Sequence, residues 1–329
     1  MVEFDKEKRR ITGIGSVLVD ILVHETDAFV EKAEAVKGGM TYVSPDHIEQ
    51  AISEASDPPV MVPGGAACNT IIGVGRLGGE ARFVGKSGNG QLAGLFESNL
   101  AASNVEPVLL KSPSLTGRVL SIITPDAQRS MLTYLGASAE VRAQEITPQH
   151  FEGTGIALVE GYLVFNPEIM RAALSAAKDA GARVALDLSS FTVVEEARGF
   201  LDEIVDTYVD ILIANEDEAR AFTGCSDEAE ALRVLGEKAD VAVLKVGERG
   251  SFIASRGTVL SVPPEGNGAV VDTTGAGDLW ASGFLYGMVS GYSLGESGAL
   301  GSLCGYEVCR VVGANIPEEG WDRIRSALK

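Results

Sequence analysis

Cysteine and histidine are scarce in this sequence. It holds four cysteines (Cys68, Cys225, Cys304 and Cys309), none in Cys-x-x-Cys spacing, and three histidines. Such a set does not build a zinc site, and reduced, buried thiols are expected instead. Basic residues are also short: 27 Lys and Arg stand against 46 Asp and Glu, for a net charge of −19 and a pI of about 4.6. That balance argues against a nucleic-acid backbone or an anionic membrane as partner. No uncharged apolar run reaches the roughly 18 residues that a membrane-spanning helix needs. Met1 to Arg10 is charged and lacks an apolar h-region, so no signal peptide is expected. A soluble, cytoplasmic protein is the expectation.

What is abundant is apolar surface and glycine: 45% hydrophobic residues and 39 glycines in 329 residues. This suits a globular α/β protein with many tight turns, one large core and a small appendage. From Gly155 onward, strand and helix patterns alternate through Ile156–Glu160, Glu168–Asp179, Arg183–Asp187, Val193–Val205, Ile211–Ala214, Asp227–Glu237 and Val241–Val246. Alternation of this kind predicts a parallel sheet covered by helices on both faces, with ligands bound beyond the carboxyl ends of the strands. Asp187, Asn215 with Glu218, and Lys245 with Gly247 fall at those ends. Earlier in the chain, Ile11–Val23 reads as one strand carrying the acid Asp20, and Val60–Val62 as a short strand. Pro107–Leu110, Gly117–Thr124 and Ser130–Tyr134 read as three more, the last two joined by a turn at 125–128. Leu294–Val312 reads as a helix.

The chain is organised around Asp272-Thr273-Thr274-Gly275-Ala276-Gly277-Asp278. A turn of small residues runs into a helix pattern, and a helix start exposes unpaired N–H groups and the positive end of its dipole. Without bulky side chains those groups approach an anion closely, so Gly275, Ala276 and Gly277 form a cradle for phosphate oxygens. Asp278 beside it is placed to take a proton from an attacking hydroxyl. An anion hole next to a base is what phosphoryl transfer to an alcohol requires.

Two look-alikes lie upstream. Gly73-Val74-Gly75-Arg76-Leu77-Gly78 satisfies the dinucleotide fingerprint, but it closes a helix instead of following a strand, and reads as a helix C-cap. Gly85-Lys86-Ser87 looks like the end of a phosphate-binding P-loop, but Glu80 stands where its first glycine is needed.

The central motif resembles the C-terminal signature of the ribokinase (PfkB-type carbohydrate kinase) family. Pro63-Gly64-Gly65-Ala66-Ala67-Cys68-Asn69-Thr70, continuing through Arg76-Leu77-Gly78-Gly79 to Phe83–Gly90, resembles its N-terminal signature. The resemblance covers nearly the whole chain, from Gly13 to about Pro317. It implies an α/β, ribokinase-like fold over residues 1–329 as a single domain: a doubly wound, mainly parallel sheet flanked by helices, with a small β-sheet lid from about 16–62 and 107–137. It further implies ATP-dependent transfer of a phosphoryl group to a primary hydroxyl, with Asp278 as base and Gly275–Gly277 as the anion hole.

In the family pattern Gly64, Gly65 and Asn69 hold the acceptor. Asn215 and Glu218 match the Asn-x-x-Glu motif, whose Glu orders the water shell of Mg²⁺. Lys245, Gly247 and Gly250 match the ATP-site strand and turn. Asp272, with the loop Gly313–Pro317, matches a monovalent-cation site, such as one for K⁺. Gly13–Asp20 looks like the first strand of adenosine kinases, where the aspartate matching Asp20 binds ribose hydroxyls. Ser16, which also lines the pocket there, departs from their usual Asn. Arg129, Tyr134–Ala137 and Leu186–Phe191 point the same way. Tyr162 is the candidate aromatic face for a purine. The implied acceptor is a small-molecule nucleoside, adenosine first, with a sugar of the ribokinase or fructokinase type as the alternative. Monomer and homodimer are both open.

Overall fold

The computed structural model describes residues 8–56, 58–126, 128–266 and 268–328. Most of the Met1 to Arg10 segment, and Ala127 of the expected turn, lie outside the described residues. Among the described residues no helix is long and apolar enough to cross a membrane.

Nine strands make the main sheet: β1 (Arg10–Ile14), β5 (Ala81–Asn89), the first half of β6 (Val105–Ile123), β8 (Thr154–Glu160), β9 (Arg183–Asp187), β10 (Ile211–Asn215), β11 (Val241–Lys245), β12 (Ser251–Ser255) and β13 (Thr258–Val262). Their order is β13-β12-β11-β10-β9-β8-β1-β5-β6. All neighbouring pairs are parallel except β11/β12 and β12/β13. The runs Ile-Ala-Leu-Val in β8 and Ile-Leu-Ile-Ala in β10 are buried at every position, as strands covered on both faces must be.

Alternate residues feed two cores. Val159, Leu186, Leu212 and Leu244 pack under α5 (Pro167–Asp179), α6 (Phe191–Tyr208), α7 (Glu216–Thr223) and α8 (Glu228–Lys238). Leu158, Ala185, Ile213 and Val243 pack on the other face under α3 (Ala66–Arg76), α4 (Gln91–Ala102) and α9 (Ala276–Ser290). Beyond them, α10 (Leu294–Val308) and α11 (Glu318–Ser326) close the C-terminal end. The fold is the doubly wound one expected.

The lid sheet holds β2 (Leu18–His24), β3 (Met40–Tyr42), β4 (Val60–Gly64), β7 (Arg129–Gly136) and the second half of β6. Ile21, Val23, Leu120, Ile122 and Leu132 face α1 (Asp27–Lys32) and α2 (Pro45–Ser53). The alternate positions Leu18, Asp20, Val119, Met131 and Thr133 face a cavity between lid and body. A one-residue slip of register would turn Asp20 into the helices.

Three boundaries differ from expectation. The stretch Ile11–Val23 is two strands in two sheets, because the chain breaks at Gly15, where a Cβ would collide with the Glu160 carboxylate. Pro107–Leu110 and Gly117–Thr124 are parts of one strand, β6. Pro113 and Gly117 mark a change of partner, from β5 as far as Leu115 to β2 and β7 beyond, and not an end. The last long helix stops at Val308, since the Cys309 carbonyl is taken by the Val271 N–H at 2.8 Å.

Candidate active site

Four adjacent parallel strands end in polar residues. Glu160 closes β8, Asp187 β9, Asn215 β10 and Lys245 β11, and the register pairs Glu160 with Asp187 and Asn215 with Lys245. Each side chain therefore reaches the same edge of the sheet, and all four line the cavity under the lid. The Lys245 ammonium lies 3.0 Å from Asp187 Oδ2. Asp187 Oδ1 accepts from the Ser189 N–H at 2.9 Å, and Ser189 is held at φ 65, a left-handed conformation that β-unbranched polar residues tolerate at a cost. Glu160 accepts the N–H of Ala67 at 3.2 Å and, weakly, that of Ser16 at 3.4 Å, so it ties the β1–β2 loop to the start of α3.

The central motif supplies the opposite wall. Helix α9 starts from Gly275 at φ 74 with no side chain capping it; the Ala276 N–H donates to the Thr273 carbonyl at 3.1 Å, and those of Gly277 and Asp278 are left for an anion. Gly275, Ala276, Gly277 and Asp278 all line the cavity. A Cβ on Gly277 would stand 2.9 Å from the Lys245 ammonium. A glycine there lets that cation and the N–H groups share one small space without displacing the lysine. Asp278 Oδ2 accepts from Asn69 Nδ2 at 2.9 Å.

From the lid come Asp20 and Arg129. The Arg129 guanidinium lies 3.6 Å from Asp20 Oδ2 and donates to Thr274 Oγ1 at 3.2 Å and Ser121 Oγ at 3.0 Å. Thr274 in turn donates to Asp272 Oδ1 from its hydroxyl at 2.8 Å and its N–H at 2.9 Å, and Gly313 N–H donates to Asp272 Oδ2 at 2.8 Å. One chain of polar contacts thus runs from the lid through the motif to the C-terminal loop.

Burial dominates the electrostatics. It pushes the Asp278 carboxyl up to about 6, with Asp187 adding to the rise and Asn69, Lys245 and Arg129 opposing it. Burial likewise lifts Glu160 to about 7 and raises Asp20 against the pull of Arg129. Glu218 is raised by burial and by Asp187. Burial disfavours the Lys245 charge, but Asp187 and Glu218 outweigh it and hold that pKa raised. Asp272 is lowered, since its donors from Gly313 and Thr274 overcome the effect of burial.

Ser16, Gly65, Asn69 and Tyr162 line the same 550 Å³ cavity as Asp20 and Arg129. Gly65 is left-handed at φ 98 against the Ser16 carbonyl, and Gly64 leaves room for the Asp20 carboxyl, which a Cβ would meet at 2.6 Å. Tyr162 sits in a 3₁₀ turn after β8. Gly247 and Gly250 line a second cavity of 500 Å³, together with Trp280, Tyr306 and the exposed Val270. Asn215, Lys245, Ala276 and Gly277 border both cavities. Glu218, 3% exposed, accepts Asn215 N–H and Nδ2, each at 2.8 Å. That is a helix-capping box and a polar site in one place.

Sequence reasoning passed over Glu160 and the exposed aromatics Tyr42 and Phe165 at the cavity. The rule that singled out Asp187 would have found Glu160, the terminal acid of an apolar strand. Tyr42 and Phe165 carry no such signal, because only the meeting of lid and body brings them together.

The family model for pfkB family carbohydrate kinases matches residues 40–320. A solved structure of adenosine kinase from Sinorhizobium meliloti is 33% identical, with a TM-score of 0.89 over 98% of this chain and 100% of that one. A probable sugar kinase from Rhizobium etli is 30% identical, with a TM-score of 0.90 over 98% and 99%. Fructokinase from Klebsiella pneumoniae is 27% identical over 77% of this chain and 85% of its own length. With both signatures assembled at one cavity and a family model spanning 40–320, the chain belongs to the pfkB family of carbohydrate kinases, phosphotransferases with an alcohol group as acceptor.

Proposed function

We propose that the acceptor is a nucleoside, adenosine first, phosphorylated on its primary hydroxyl by ATP. The observation that carries this reading is the mixed lining of the cavity. Asp20, Asn69 and Asp278 line it together with the apolar and aromatic Tyr162, Leu163, Phe165 and Met131. A ribose suits the first group and a purine the second, since stacking on an aromatic ring is worth about 1–3 kcal/mol per base. A free sugar leaves the apolar lining uncovered. The full-length likeness to the S. meliloti adenosine kinase supports the reading. The sugar alternative draws on Ser16, which stands where adenosine kinases usually carry Asn, and on the R. etli and K. pneumoniae relatives.

In this reading Asp20 binds ribose hydroxyls and Asp278 takes the proton of the primary hydroxyl. With its pKa near 6, Asp278 is mostly ionised at neutral pH, as a base must be. The hydroxyl oxygen bonds to the γ-phosphorus, the bond to the bridging oxygen breaks, and ADP leaves. The α9 N–H groups and Lys245 lie where charge develops on the transferred group. The 500 Å³ cavity holds the nucleotide, with Gly247 and Gly250 against it.

The donor set at the strand ends is oxygen-rich (Asp187, Asn215 and Glu218), which suits Mg²⁺ and its retained waters. Among the described residues no three His, Cys, Asp or Glu are grouped to hold a metal ion alone, so these residues would hold Mg²⁺ through water beside phosphate oxygens. Bound there, it would supply charge neutralisation. Asp272 already accepts three protein donors, and no step of the transfer is assigned to a monovalent cation.

Comparing kcat/KM for adenosine, inosine, ribose and fructose by ADP release tests the acceptor. A preference for adenosine or inosine supports the nucleoside reading. A preference for a free sugar overturns it and leaves the kinase chemistry intact.

A further inference from the structure

The amide of Asn69 is spent on a carboxylate and not on open space. Its Nδ2 donates to Asp278 Oδ2 at 2.9 Å, between residues 209 positions apart in the chain. An ionised carboxylate only accepts, so the NH₂ side of the amide must face it. The approach that makes this contact is built into the helices. Gly73 of α3 meets α9 so closely that a Cβ there would stand 2.5 Å from Ser282 Cβ and 3.0 Å from Leu279 Cδ1. Helices α3 and α9 therefore cannot drift apart or rotate without losing that packing. Asn69 itself is 7% exposed, and its backbone N–H is held by the Gly65 carbonyl at 2.9 Å.

Resting on the assignment of Asp278 as base, we propose that Asn69 is the positioning residue for that base: by donating to Oδ2 it orients the carboxylate and leaves Oδ1 to receive the acceptor's proton. This role differs from the acceptor contact that the family pattern implies for Asn69. The other groups acting on Asp278 are charged and come from separate elements. Asp187 (β9) raises its proton affinity, while Lys245 (β11) and Arg129 (β7) lower it. Glu160 (β8) and Glu218 (α7) are in electrostatic reach, as are Tyr162 and Cys68. Asn69 supplies the side-chain hydrogen bond to the ionised form, which fixes direction as well as charge.

The test is the pH dependence of kcat at saturating ATP and saturating acceptor, using whichever of adenosine, inosine, ribose and fructose is turned over fastest. Wild type should lose activity below about pH 6, as Asp278 takes up a proton. A hydrogen bond to a charged group is worth enough to shift a pKa by about one unit. Asn69→Leu, close in shape but without a donor, should move the acid limb up by about one pH unit and lower plateau kcat about tenfold.

Asn69→Ala, which suits a helix, repeats the test should the leucine variant not fold. A ¹³C titration of the Asp278 carboxyl, its resonance identified by loss in Asp278→Asn, should show the same shift without turnover. An unmoved acid limb with a raised acceptor KM would mean that Asn69 merely touches the acceptor, and overturns the proposal. Near-normal kcat in Asp278→Asn is a separate result: it overturns the base assignment beneath it.

Discussion

Main sheet and lid sheet face one cavity but hold their charges differently. On the main sheet, Glu160, Asp187, Asn215 and Lys245 end four adjacent strands that are covered by helices on both sides. Their backbones cannot move without disturbing two cores. On the lid, one face is covered by two helices of 6 and 9 residues, and its tie to the central motif runs through Arg129. The lid also keeps Met40, Tyr42, Val60 and Met61 exposed. Rigid placement suits the body, where in the proposed reaction the transferred group meets base and anion hole within fractions of an ångström. A thinner, singly covered layer suits closure over the acceptor and exclusion of water. The comparison teaches that body substitutions should act on kcat and lid substitutions on the acceptor.

The largest break is expected at the proposed base. Asp278→Asn keeps the shape and the Asn69 contact but removes proton uptake, and should lower kcat by about 10²–10⁴-fold with ATP binding retained. Steady-state ADP release and nucleotide titration measure both. Next is the proposed anion hole. Gly277→Val puts a side chain where Lys245 lies 2.9 Å from the Cβ position, and should cost roughly 10²–10³-fold in kcat through lost donors. Unchanged kcat/KM for ATP would reduce the turn to a helix cap.

On the lid, Arg129→Met leaves the buried Asp20 without its counter-ion. The loss of this ion pair leaves a buried acid unpartnered and predicts about a 10–100-fold fall in kcat/KM for the acceptor, with KM for ATP nearly constant. A change confined to ATP would move Arg129 to the donor side and blur the division between sheets.

The smallest effect is thermodynamic and belongs to the body. Glu160 has a folded pKa of about 7 against an ordinary 4.5. Between those values the folded state binds more protons than the unfolded one, so stability falls as pH rises through that window, and the cost persists above it. Glu160→Gln should therefore melt a few degrees higher at pH 8, on the order of 2 kcal/mol, and nearly unchanged at pH 4. Calorimetry at the two pH values reads it. Equal gains at both would assign the effect to packing.

Much of the body was legible in the sequence. The alternation after Gly155 located β8 to β11, and the rule that ligands sit beyond parallel strand ends singled out Asp187, Asn215 and Lys245. The lid was harder to read. One strand, β6, serves both sheets and its partner changes at residues 115–116, which local propensity cannot register. The segment Ile11–Val23 alternates like one strand yet crosses from one sheet to the other after Ile14, at a glycine whose Cβ would meet the carboxylate of a glutamate 145 positions later. The Asn-x-x-Glu string was visible, but its capping box and its functional reading coincide in space, so the motif alone does not separate them.

By itself the sequence determined the alternating fold, the small-residue cradle before α9 and the candidate base, because these depend on local periodicity and on short-range turn chemistry. Tertiary structure alone decided that Asn69 meets Asp278, that Lys245 stands against Gly277, and that Arg129 joins the lid to Thr274. It also set the acids' proton affinities, which follow from burial and from charges brought close by packing. Contacts between residues far apart in the chain, and the low dielectric that gives them their strength, exist only once the layers have closed on one another.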